Sequence, residues 1–184
     1  MTNTIKLYAL AILYVIGLVD LIDKAREKAA YLHYYLQIRG WALIAAYYVG
    51  KELKFQNFNF TAKFEKTSGP DDVAAWTDIS NEKICVHFYI QDIIDTWQSI
   101  QNPTCPPSVS FGEFVTRLVR HELRHVWQAQ NCFAAFLLDG QLPYNFQNRE
   151  SDANYFAIGV GYTQTPEEFN DTVENTLRAW NLYQ

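Results

Sequence analysis

Residues 110–130 read SFGEFVTRLVRHELRHVWQAQ, and this stretch decides both the fold and the chemistry. Ser110 with Glu113 is a capping box, the start signal of a helix that carries FVTRLVRHELRHVWQAQ. Phe111, Phe114, Val115, Leu118, Val119 and Val126 give that helix the apolar face of a core-buried element. His121 and His125 are four apart, so both imidazoles project from one face and can reach one metal ion. Glu122 comes directly after the first histidine, placed to take a proton from water at the metal's open position and pass it to a leaving group. The bland alternative is a surface helix with solvated histidines and an incidental glutamate, but a chance match of this pattern is expected in well under ~1% of such chains.

Two histidines do not hold a catalytic zinc, which takes a third protein ligand and leaves one position open. Outward from the helix, 24 residues (126–149) separate His125 from Glu150-Ser151-Asp152-Ala153-Asn154, enough to turn and bring a second helix back across the metal. Glu150 and Asn154 share a helical face, so Glu150 can ligate while Asn154 orients a ligating histidine. Asp152 is the competing carboxylate, although residues two apart face different ways and only one of the pair can ligate. Ala153 and Ala157 are small enough for close helix approach at the site. No histidine comes after His125; His33 and His87 read as an amphipathic-helix residue and an outer-face strand residue.

HELRH followed by ESDAN resembles the gluzincins, HExxH metallopeptidases whose third zinc ligand is a glutamate on a later helix. The resemblance spans roughly residues 41–161. It implies His121, His125 and Glu150 as zinc ligands, Glu122 as general base and Asn154 as the orienting residue. HELRHVWQ with a later E-x-D-A also looks like small metallopeptidase domains attached to bacterial secreted effectors. The fold it implies is α+β and zincin-like, with a small, mostly antiparallel sheet packed on a backing helix and an active-site helix. In such folds the edge strand before the active-site helix pairs with substrate backbone, a part ICVHFYI would fill. The substrate implied is a peptide or protein.

Upstream, FNFTAKF alternates Phe58, Phe60, Ala62 and Phe64 with polar residues, a half-buried strand. Residues 68–72 form a turn cluster, VAAWTDI a second strand, residues 81–83 a further turn, and ICVHFYI a third strand with Ile84, Val86, Phe88 and Ile90 on one face. A short helix near 92–101 precedes NPTCPPSVS, a proline-framed loop. Thr165-Pro166 with Glu168 caps a last helix, and Gly140 and Pro143 punctuate a loop before a helix over about 146–160.

The N-terminus reads as a long helix over residues 4 to about 37. Its stripe runs Leu7, Ala11, Tyr14, Leu18, Leu21, Ala25, Ala29, Leu32 and Leu36, and the opposite face is also apolar at Ile12, Val15, Ile16 and Val19. Gly40 marks a break, with a second helix over 41–54. Leu7–Val19 holds 13 residues without a charge, short for a membrane span of ~20. The next segment, DLIDKAREKAA, lacks the small-residue pattern of a cleavage site, so a partner-docking or scaffold helix is favoured over a signal, a surface anchor or an inhibitory pro-segment. Contact with a partner or membrane surface would run through residues 5–22. The chain is expected to be one metallopeptidase-like domain, with 1–40 a helical extension, 41–161 the core and 162–184 a C-terminal helix.

With 184 residues, 49% of them apolar, the chain suits one globular core and is too hydrophobic for disorder. A net charge of −5 and no basic run argue against nucleic acid. Cys85, Cys105 and Cys132 spell no Cys-x-x-Cys, and buried or idle thiols in a reducing compartment fit them better than a single disulfide with one spare thiol, which leaves the compartment open with cytoplasmic favoured over secreted. Tyr144 and Tyr155, with Tyr162 and Arg149, lie in the region where a peptidase places an oxyanion donor, although in a chain with 12 tyrosines packing is the favoured reading for each. Zinc-dependent peptide hydrolysis is the expected function. The rival from another class is a catalytically silent zinc-binding interaction protein that docks through its apolar first helix.

Overall fold

The computed structural model describes residues 3–55, 60–66, 69, 73–80, 83–101, 109–159 and 163–183. It is α+β, with the order α1 (Asn3–Glu52), β1 (Phe60–Glu65), β2 (Ala75–Ser80), β3 (Lys83–Tyr89), α2 (Ile90–Ile100), α3 (Phe111–Asn131), α4 (Phe133–Asp139), α5 (Asn148–Ile158) and α6 (Pro166–Tyr183). Contacts divide the chain into units of residues 1–37 and 38–184. The proline-framed loop at 102–108 with Cys105, the turns at 70–72 and 81–82, Phe58 and Tyr162 lie outside the described residues.

Gly40 does not break α1, which runs unbroken across it. A helix-interior glycine costs only about 1 kcal/mol relative to alanine, and the long helix-forming run on either side outweighs that. In the first unit, Leu18, Leu21, Leu32 and Leu36 of the expected stripe are exposed, as are Val19 and Ile22. The turns there are laced by surface ion pairs, Lys24 to Asp20 and Arg26 to Asp23.

In the second unit the buried stripe of α1 is Ile38, Ala42, Ala45 and Val49, at spacings of four, three and four. Trp41 lies against the start of α3, where a Cβ on Gly112 would sit 2.7 Å from the indole and force it to shift. The C-terminal end of α1 is tied in by Arg120, whose guanidinium grips Glu52 at 2.7 and 3.1 Å while its Nε donates to the Phe156 carbonyl.

The sheet has the order β1-β3-β2, with β1 parallel and β2 antiparallel to β3. It is therefore mixed rather than mostly antiparallel. ICVHFYI, expected at the edge, is the middle strand and is hydrogen-bonded on both sides. Alternation reports which face a strand buries, whereas pairing order depends on partners distant in sequence. Register places Phe64 beside Phe88, their rings stacked 5.3 Å apart, and Thr77 beside Val86 on the same face. Ile90, read as the end of this strand, opens α2 and buries with Ile93 and Ile94. Asp92, also buried, accepts the Gly69 N–H at 2.7 Å.

Ser110 caps α3 by accepting the Glu113 N–H, and Thr165 and Glu168 exchange both bonds of the capping box that starts α6. A helix the sequence did not announce, α4, comes directly after α3 across Cys132. That cysteine packs with Phe169 and Val173 of α6, and burial pushes its thiol up to about 11, so it is inert rather than poised to react. Cys85 is likewise free.

Candidate metal centre

The centre is built on α3 and α5. Gln128 contacts Arg149, Arg124 contacts Asp152 and Arg120 contacts Phe156, so the two helices run antiparallel. Buried Ala153 and Ala157 line the α5 side and allow the close approach. β2 closes the site from the other side, where the Thr77 hydroxyl donates to Glu122 Oε2 at 2.6 Å.

His121, His125 and Glu150 converge. The two Nε2 atoms are 3.0 Å apart, and the Glu150 oxygens stand 3.4 Å from His121 and 3.5 Å from His125. The two Glu150 contacts come from different oxygens, Oε2 toward His121 and Oε1 toward His125, so the carboxylate straddles the imidazole pair, and the three side chains lie close enough to hold one metal ion. Burial alone would raise the Glu150 carboxyl, but hydrogen bonds from His121 and His125 outweigh it and hold it far below the usual range. Burial likewise opposes a charged His125, while Glu150 and Glu122 beside it push its pKa up. The cluster thus carries an anionic carboxylate whose charge draws a cation, proton or metal, between the rings.

Gln128 sets the orientation of His125. Its Nε2 donates to Asp152 Oδ2 at 2.7 Å and to the Arg149 carbonyl at 3.1 Å, which leaves Oε1 as the acceptor facing His125 Nδ1 at 2.9 Å. Nδ1 is therefore a donor to Gln128, so when a metal displaces the proton shared with Glu150 it is the Nε2 lone pair that faces the cluster. Asp152 is itself anchored by Arg124 at 2.6 and 3.2 Å, and Arg124 donates further to the Gln164 carbonyl at 2.6 Å.

Several expected roles fall elsewhere. Asp152 points away from the cluster into the Arg124 pair, because residues two apart on α5 face opposite sides. Arg124, the partner in that pair, is fully buried. Asn154 is exposed and makes no side-chain hydrogen bond among the described residues. One turn on from Glu150, antiparallel α5 has already carried it past His125, and the orienting bond comes from Gln128 of α3 instead. Both tyrosines are exposed, but Tyr144 lines the cavity and Tyr155 lies outside it. Burial and the adjacent Glu150 carboxylate push the Tyr144 phenol up, so it stays protonated and can donate.

Three residues of the site escaped the sequence reading: Thr77, Gln128 and Asp139. Asp139, fully buried, accepts the backbone N–H of Asn148 at 3.0 Å and of Arg149 at 2.9 Å, capping the helix that presents Glu150. One signal was available: Gln147, directly before α5, is a poor cap, so the cap had to come from a distance.

No family model, curated protein or solved structure matches the chain.

Proposed function

We propose that this chain is a zinc-dependent peptidase of zincin-like, gluzincin type. The observation that carries the reading is the convergence of His121 Nε2, His125 Nε2 and the Glu150 carboxylate, close enough to share one metal ion. Two imidazoles and one carboxylate suit zinc and leave one coordination position for water or substrate. Zinc there supplies Lewis acidity, polarising a carbonyl and acidifying a water. Glu122 has one carboxylate oxygen held by Thr77, which leaves the other to accept a proton from the attacking water and deliver it to the leaving nitrogen. Tyr144 donates toward the oxygen of the carbonyl under attack. With β3 enclosed in the sheet, the strand on which an extended substrate would add is β2, at the edge beside the site. The test is hydrolysis of a peptide library with and without chelator, and with Glu122→Gln. Chelator-sensitive cleavage that falls at least about 100-fold in a Glu122→Gln chain still holding zinc supports the mechanism. Undiminished cleavage by that variant refutes it.

One observation favours the second reading, a silent zinc protein acting through its first helix. Leu18, Val19, Leu21 and Ile22 of α1 are exposed, a patch of apolar side chains that suits a partner. No described helix is long and apolar enough to cross a membrane. Zinc at one per chain with no cleavage across the library would select this reading.

A further inference from the structure

Histidines aside, Arg149 is the one basic residue lining the cavity beside His121, His125 and Glu150 among the described residues. Its guanidinium is seated on three sides. The Phe136 ring lies 4.9 Å away, and Gly140 leaves a space in which even a methyl group would come within 2.6 Å of Nη1. Nε donates to Gln147 Oε1 at 3.1 Å and stands 3.5 Å from Glu150 Oε1. The side chain is only 18% exposed, yet the N–H groups on Nη1 and Nη2 have no protein acceptor among the described residues. Held by one edge and stacked on one face, the guanidinium keeps its outer nitrogens for something that enters the cavity.

Charge says what that something is. With neutral imidazoles, a doubly charged metal balances Glu122 and Glu150, and Arg149 leaves the cavity positive. Size limits it as well. The cavity is about 140 Å³, well under the ~300–1,000 Å³ that encloses a drug-sized ligand, so it admits one side chain or one chain end. A planar guanidinium with free outer donors matches a carboxylate in bidentate geometry. We infer that Arg149 makes this a carboxylate-reading site, which selects peptides carrying a carboxylate next to the bond cut, whether on an acidic side chain or at the peptide's own C-terminus. The inference rests on the peptidase reading for what is cut, and on Arg149 alone for what is recognised.

The experiment is calorimetric titration of the zinc-loaded Glu122→Gln chain with matched blocked peptides: Asp against Asn at one position, and a free C-terminus against its amide. At least one carboxylate member should bind roughly tenfold to a hundredfold more tightly than its neutral partner. Arg149→Gln should erase that difference and Arg149→Lys should keep part of it, with zinc stoichiometry unchanged in both and melting lowered by no more than the loss of the Gln147 contact. The pair that shows the difference identifies the source of the carboxylate. Equal binding within both pairs overturns the inference, as does a preference that survives Arg149→Gln. Should Arg149→Gln fail to fold, the comparison of pairs in the Arg149 chain and in Arg149→Lys still decides. Wild-type cleavage indifferent to carboxylates overturns this inference and leaves the peptidase reading intact. Arg149-dependent carboxylate binding with no cleavage of any peptide does the reverse.

Discussion

Replacing Gln128 with leucine removes three hydrogen bonds from a fully buried position at nearly constant volume. Asp152 keeps Arg124, but the Arg149 carbonyl and the His125 Nδ1–H lose their partners, at about 1–3 kcal/mol for each buried group left unsatisfied. The expected destabilisation is therefore roughly 2–6 kcal/mol, a large share of the ~5–15 kcal/mol that holds a domain together. His125 would also be released to turn, or to carry its proton on Nε2, the nitrogen that must ligate. Loss of such an orienting partner typically weakens metal binding about 10–100-fold, or roughly 1.4–2.7 kcal/mol. Zinc affinity measured against a chromogenic chelator, on protein shown folded by its melting curve, reads this directly. Nitrogen NMR of His125 should find the Nδ1–H tautomer in wild type and a mixture in the variant. Gln128→Glu covers the case in which leucine does not fold, since it keeps the acceptor for Nδ1–H but sets a carboxylate against Asp152. Wild-type zinc affinity and an unchanged tautomer in a folded Gln128→Leu chain would refute the reasoning.

Thr77→Val keeps the shape of the strand and deletes the hydroxyl that holds Glu122. Turnover should fall on the order of tenfold with zinc content unchanged, as kcat and metal analysis would show, while a loss of zinc would mean that Thr77 acts on the fold instead. Gly40→Ala should raise stability by about 0.5–1 kcal/mol in denaturant unfolding, because the position is helical and an added Cβ meets nothing within 4 Å. Asp139→Ala should cost about 1–3 kcal/mol and weaken zinc binding together, because the cap it removes begins the helix that carries Glu150.

What the sequence revealed, it revealed through local physics. The Ser110 cap and the reciprocal box at Thr165 were legible because cap and partner lie three residues apart, although the Glu113 side chain turns to Arg117 instead of closing a box at Ser110. The convergence of His121 and His125 was implied by the four-residue spacing, and Glu150 needed only a later helix within reach. Where partners are distant in sequence, the reading faltered. Strand order was hidden because β1 and β3 pair across more than twenty residues. Gln128 and Asp139 look like ordinary polar residues until the chain brings Arg149, Asp152 and Asn148 to them. Gly40 misled because an intrinsic penalty of about 1 kcal/mol is small beside the cooperativity of a long helix. The apolar stripe through Leu18 and Leu36 misled in the other direction, since periodicity shows which residues share a face and not whether anything covers it.

The buried Arg124–Asp152 pair bears on function because it is a poor way to gain stability. Removing two ions from water costs several kcal/mol each, and apolar residues of similar volume commonly do as well or better. Here the pair sits under the centre and holds the amide of Gln128, which in turn holds His125. If it exists to orient the site, stability and metal affinity should separate. Asp152→Leu alone should destabilise by about 3–5 kcal/mol, since it strands the Arg124 charge in the core. Arg124→Leu combined with Asp152→Leu should recover most of that loss, yet bind zinc more weakly than wild type because Gln128 has lost its anchor. A double variant that melts like wild type and binds zinc equally well would show the pair to be packing, and the orienting role would then rest on the Arg149 carbonyl alone.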